Sequence, residues 1–363
     1  MDLLNNYQLL STTGAKGATV FELQNDIYLA IPQFSEDITG VISSLDSGNS
    51  DVAVLIYKWQ ENSFQLHQSI PSHGSRNVSF FKIKGRNFIA VSCLRSGSND
   101  DYNIRSYSMI YEWDGNFFIP FQQFLTESAK NCYHFSIEDR HFLAIACGEK
   151  LDPNESPDSS SSSPIYEWNG KGFELFQSLP SMAGFNWQHT SVESEHYLIQ
   201  VDGTIPSTLY KWTGELFESS QSIDKAGGRH ALFFNIDDSL YMAFANLSND
   251  STIYRWNGNR FESFQTLSLI GGHSFLFFEH QEKKYLMSAC YIGGTRSAPV
   301  TKLESSLYVW DGEQFELEEN YTTYGGTGLD YFYYNNELFI VQSNSHTPEI
   351  QFAQDSYVFK FGV

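Results

Sequence analysis

Tyr166–Gly184 reads YEWNGKGFELFQSLPSMAG, and Tyr254–Gly272 reads YRWNGNRFESFQTLSLIGG. Two segments this alike, 88 residues apart, mark an internal repeat whose spacing decides the fold. Aligned on Tyr-x-Trp, the chain offers Trp59, Trp113, Trp168, Trp212, Trp256 and Trp310, with Phe359 of YVFKF as a seventh member. Five residues beyond each Trp stands a Phe, from Phe64 to Phe315, and four further on comes Gln68, Gln122, Gln177, Gln221, Gln265 or Glu319. A small residue follows six later (Gly74, Ser128, Ala183, Gly227, Gly271 or Gly325), and fourteen beyond it an aromatic opens a run such as FIAVSC or YMAFAN.

The turns identify the elements. WDGNF, WNGKG and WTGEL place Asp-Gly, Asn-Gly or Thr-Gly between apolar runs, which is hairpin chemistry because these residues tolerate positive φ. Each repeat therefore reads as four short strands, which in the second copy are A (NVSFFKI), B (FIAVSC), C (SMIYEW) and D (FFIPFQQF). Repeats of 44 to 55 residues built this way predict an all-β chain folded as a β-propeller with four antiparallel strands per blade. The N-terminal LLNNYQLLSTTG fits a D strand without its C strand, and the C-terminal YVFKFGV a C strand without its D strand. Paired, they complete a seventh blade and close the ring, which removes the unpaired strand edges that invite aggregation. Residues 1–363 thus form a single seven-bladed domain.

Composition narrows the partners. With 22 Lys and Arg against 43 Asp and Glu, the net charge is −21, which disfavours nucleic acid and anionic membrane because phosphate binding is driven by cations. No run approaches 18 apolar residues, and the opening MDLLNNYQLL lacks the charge and hydropathy pattern of a secretory leader. The expected location is cytoplasmic, or secreted if a leader has been lost, and the expected state is a monomer. Cys93, Cys147 and Cys290 share one repeat column, about 10 Å apart in neighbouring blades, beyond the reach of a disulfide. These are expected as reduced, half-buried thiols, and Cys132, which begins an A strand, as a thiol without a disulfide partner. The repeated Tyr and Trp are expected to pack blade on blade.

The segments IYKW, IYEW and IYRW, the Phe and Gln that follow them, and YLAIP, FLAIAC and YMAFAN resemble the epilepsy-associated repeat (EAR, or EPTP) family found in leucine-rich glioma-inactivated proteins. That resemblance implies a propeller used to bind other proteins, rather than an enzyme.

Length variation falls between strands B and C, whose loops emerge on the same face as the D–A connections, and variable loops on a rigid scaffold are where binding usually sits. The low-complexity DPNESPDSSSSSP lies in one of these loops and is expected to be mobile. Two residues after the small residue of each D–A connection stand Lys16, Arg76, Lys130, Phe185, Arg229, His273 and Thr327. At this chain's composition seven positions should hold about 0.4 Lys or Arg, and four are present. The next column is Gly17, Asn77, Asn131, Asn186, His230, Ser274 and Gly328. Strand A is the innermost strand of a propeller blade, so both columns should ring the channel as a basic collar. The competing expectation is that each cation pairs with an acidic residue of its own blade.

Two A strands carry His134 and His189 where others carry Val20, Phe80, Phe233, Phe277 and Tyr331, with Phe185, Trp187 and Tyr133 nearby. They are expected either as hydrogen-bonded core residues or as a pocket wall with acid–base capacity. No metal-binding, dinucleotide, Walker or nucleophile-elbow motif occurs, and Asp330 alone beside a basic collar makes a poor Ca²⁺ site. Neither metal nor cofactor is expected. The leading reading is a binding propeller that holds an acidic partner or small anion on its loop face. The alternatives are an enzyme acting on a carboxylate- or phosphate-bearing small molecule, with His134, His189 or His230 as acid and base, and a lectin.

Overall fold

The computed structural model describes residues 3–99, 101–148, 162–223 and 226–362. Seven antiparallel four-stranded sheets succeed one another along the chain. The first blade is Thr19–Leu23, Asp26–Ile31, Val54–Gln60 and Ser63–Ile70, hydrogen-bonded in that order. The last combines Gly326–Tyr334, Glu337–Asn344 and Ser356–Phe361 with the N-terminal strand Leu4–Leu10. Blade seven therefore draws on both ends of the chain, as the partial repeats require.

Its register corrects one sequence assignment. Trp59 lies opposite Phe64, and Trp113 opposite Phe118, whereas Leu4, which holds the Phe position, lies opposite Phe361. The seventh member of the Trp column is thus Phe361, two residues beyond the expected Phe359. Phe361 packs as a Trp would, 5.1 Å from Tyr285 of the preceding blade. The other contacts of this kind include Trp113 on Tyr28 (5.6 Å) and Trp256 on Tyr197 (5.1 Å), so the repeated aromatics are interblade packing.

The turns follow their sequence. Gly115, Gly170, Gly214, Gly258 and Gly312 take φ between 96° and 114°, which a Cβ would oppose. The preceding Asp, Asn or Thr caps the turn, as where Asp114 Oδ1 accepts the N–H groups of Asn116 and Phe117, both at 2.8 Å.

The Gln column joins blade to blade. Gln8 donates its amide to the Phe64 carbonyl (2.8 Å) and accepts the Phe64 N–H (2.9 Å). Gln68 does the same to Phe118, Gln122 to Phe173, Gln177 to Phe217, Gln221 to Phe261 and Gln265 to Phe315. The bracket needs a donor and an acceptor on one planar group, which is why the residue is Gln. At the seventh junction Glu319 only accepts, from Leu3 N–H at 2.8 Å. Glu319→Gln should supply the missing donor and stabilise the protein by about 1 kcal/mol, a degree or two in Tm. A calorimetric midpoint unchanged or lowered would count against this role.

All four cysteines are free, and they are fully rather than half buried, at 4% exposure or less. Two B–C loops carry hairpins that the sequence did not announce, Ser96–Ser98 with Asp101–Asn103 and Gly293–Thr295 with Ala298–Val300. Most of DPNESPDSSSSSP lies outside the described residues.

Candidate functional site: the channel and its mouth

In five blades the A strand meets its B strand with a one-residue bulge, and the extra residue is Arg76, Phe185, Arg229, His273 or Thr327. In a regular strand, neighbouring side chains point to opposite faces, whereas a bulge re-aims one of them. Both columns therefore turn inward: Lys16, Arg76, Lys130, Phe185, Arg229, His273 and Thr327 all line one channel cavity of about 280 Å³, together with Asn77, Asn131, Asn186 and His230.

The cations lean on aromatic faces. Lys16 is 5% exposed, donates to the Tyr291 hydroxyl (2.7 Å) and sits 4.3 Å from that ring. The Arg76 guanidinium lies 5.5 Å from Phe34, and Arg229 lies 4.0 Å from Phe185. Lys130 donates to the Gly148 carbonyl and lies 5.0 Å from Phe185. Among the described residues, neither Lys16 nor Arg76 has a carboxylate within ion-pair distance. Burial, then the Arg76 charge, pushes the Lys16 ammonium well below its usual pKa. Burial, then Arg76 and Arg229, does the same to His273.

The second column links adjacent A strands. Asn77 Oδ1 accepts Cys132 N–H (3.1 Å), Asn131 Oδ1 accepts Trp187 N–H (3.2 Å) and Asn186 Oδ1 accepts Ala231 N–H (3.2 Å). His230 continues the pattern, its Nδ1 accepting Phe275 N–H at 3.4 Å, so the ring proton sits on Nε2. Since the backbone donor fixes the amide orientation, each Asn must turn its NH₂ group away from the neighbouring strand.

Three sequence candidates lie elsewhere. Trp187 is fully buried between blades, because the residue after Asn186 points away from the channel. His134 stacks on Phe81 (4.5 Å) and His189 on Phe135 (5.0 Å), just as Phe80 stacks on Phe21 (4.4 Å). Each ring bonds a second histidine, His134 to His141 (3.3 Å) and His189 to His196 (3.1 Å). They are packing residues of the blade interfaces, and of the three candidate acid–base histidines only His230 lines the channel. Asp330 is half-buried, its carboxylate accepting Val20 N–H (2.7 Å) and Tyr331 N–H (2.8 Å), and desolvation raises its pKa to about 6. Among the described residues no cluster of His, Cys, Asp or Glu is arranged to hold a metal.

Above the collar the loops form a vestibule of about 410 Å³ that shares Arg76, Phe185, Arg229 and His273 with the channel. Its wall includes Phe34, Leu94, Arg95, Tyr102, Ile104, Leu247, Tyr291 and Ile292. Arg95 lies flat between Tyr102 (3.6 Å) and Phe34 (4.6 Å) and donates to Ser50 Oγ (2.9 Å). Asp46 of the first blade's loop pairs with Arg296 of the sixth at 2.9 Å. Sequence reasoning missed these loop residues, since they belong to no repeat column.

The chain belongs to the EPTP domain family, whose pattern matches residues 63–114, 118–169, 172–213 and 216–257, just over half its length. Over 157 residues it is 29% identical to the human thrombospondin-type laminin G domain and EAR repeat-containing protein, and over 179 residues 29% identical to the mouse protein of that name. The matched regions cover 42% and 48% of this chain but only 22% and 25% of those relatives. A solved chain from the crystal structure of BBS1N in complex with ARL6DN superposes with a TM-score of 0.59 at 10% identity, covering 99% of this chain and 97% of that one, a likeness of fold.

Proposed function

We propose that the propeller is a binding module that takes an oxyanion-bearing ligand at the collar. The observation that carries this reading is Lys16 and Arg76, held in a narrow channel with no carboxylate among the described residues within ion-pair distance of either, Asp46 acting on Lys16 only from farther off. Like charges gathered this way repel one another, and an anion relieves the repulsion. Arg76 and Arg229 contribute most, because a planar guanidinium grips a carboxylate or phosphate with two bonds.

The test is a melting series with phosphate, sulfate and citrate at constant ionic strength, on wild type and on Arg76→Ala/Arg229→Ala. At least one anion should raise the wild-type midpoint, and the double variant should lose about a hundredfold or more in affinity while its ligand-free midpoint stays equal or rises slightly. A wild type indifferent to every anion, or a double variant strongly destabilised on its own, would show that the collar is structural.

A further inference from the structure

The tiers on either side of the collar differ in a way that selects a ligand class. Below it, the Oδ1 atoms of Asn77, Asn131 and Asn186 each accept a backbone N–H, which orients their amide NH₂ groups as donors toward the channel. Asn131 and Asn186 are more than nine-tenths buried, yet among the described residues their amide nitrogens bond no protein group, and both residues line the channel. His230 adds one more donor at Nε2. Donors gathered beside the collar cations suit an oxyanion.

Above the collar the chemistry reverses. Leu94, Ile104, Leu247 and Ile292 face the vestibule with the Phe34 and Phe185 rings, an apolar side beside Arg95 and the Asp46–Arg296 ion pair that a bare inorganic ion would leave wet. Because the two cavities share the collar residues, one molecule can touch both. We propose that the ligand is a small amphiphilic oxyanion, its carboxylate or phosphate head on the collar and the Asn donors and its apolar body in the vestibule. This rests on the anion-binding reading above and deepens it.

The test is calorimetric titration of the full chain with acetate, butanoate, hexanoate and octanoate, with hexyl phosphate, 1-hexanol and hexanamide, and with inorganic phosphate. Affinity should climb about three- to fourfold per added methylene until the vestibule fills, and the uncharged hexanol and hexanamide should not bind. The carboxylate and phosphate series identify which head is preferred. Leu247→Asn should flatten the chain-length dependence while leaving inorganic phosphate binding unchanged. Asn131→Asp keeps the acceptor for Trp187 N–H but turns the donor into a negative oxygen, so every anion should weaken tenfold or more. Anions that bind with no gain from chain length would overturn the amphiphile while leaving the anion site standing; if no anion binds, both fall. A Leu-Leu-Leu peptide with a free C-terminus that bound more than tenfold tighter than hexanoate would also overturn the small-molecule class, replacing it with a chain terminus.

Discussion

Lowering the pH from 7 to 4.5 is expected to unfold the protein, and the cause lies at the blade interfaces and in the channel. Burial, assisted by the paired histidine, lowers the pKa of His134 from 6.5 to about 3 and that of His189 to about 4, and burial lowers His230 to about 4. In the unfolded chain these rings take up protons near pH 6.5, so between that value and their folded pKa the unfolded state holds more protons. Their contribution to stability is full above pH 6.5 and is lost as the pH falls. Asp330, raised to about 6, acts in the opposite sense, since the folded state protonates it first, but it is one group against six, because burial lowers His141, His273 and His346 as well. Each ring costs about 1.4 kcal/mol per pH unit, so His134 and His189 alone remove about 5 kcal/mol by pH 4.5, against a total stability of about 5–15 kcal/mol. Phenylalanine already fills the equivalent stacking position in other blades, at Phe80 and Phe277. His134→Phe/His189→Phe should therefore move the acid midpoint, followed by circular dichroism, down by roughly half to one pH unit. A wild type that stays folded at pH 4, or a double variant with an unmoved midpoint, would contradict this account.

Removing residues 356–363 is expected to abolish cooperative folding at ordinary temperature. Ser356–Phe361 joins the N-terminal strand into the sheet of blade seven, hydrogen-bonded to Leu4–Leu10 on one side and to Glu337–Asn344 on the other. Val358, Phe359 and Phe361 are at most 5% exposed, and their burial is worth about 5–9 kcal/mol, which matches the margin of a typical domain. Two strand edges would also open to solvent and to other chains. A synthetic peptide of residues 356–363 added to the truncated protein should restore the melting transition by strand addition. If the truncated protein melts cooperatively within a few degrees of full length, ring closure is not what holds the fold.

How much of this was legible in the sequence depended on whether a residue sat in a repeat column. The Trp, Phe, Gln and Gly columns fix blade number and strand order because each serves the same contact at nearly every junction, as the six Gln brackets show. The Phe359 assignment failed because YVFKF offers two phenylalanines two residues apart, both on one face of the strand, and only the pairing with Leu4 separates them. The collar was visible as a charge anomaly, but the bulge that turns two successive side chains inward leaves no mark in composition. Trp187 was misplaced for the converse reason, since regular alternation resumes just after the bulge. His134 and His189 looked chemical because of what histidine can do, whereas their column is a stacking column. Arg95, Tyr102, Asp46 and Arg296 occupy loops of unequal length, where no internal copy gives a comparison.

The central claim is that the channel holds an anion among the collar cations, and an anomalous diffraction map from crystals grown in selenate tests it most directly. The account predicts a strong selenium peak on the channel axis, within hydrogen-bond reach of Arg76 and Arg229 and facing the amides of Asn131 and Asn186. A channel filled by water alone, with selenate confined to the outer surface, would contradict it.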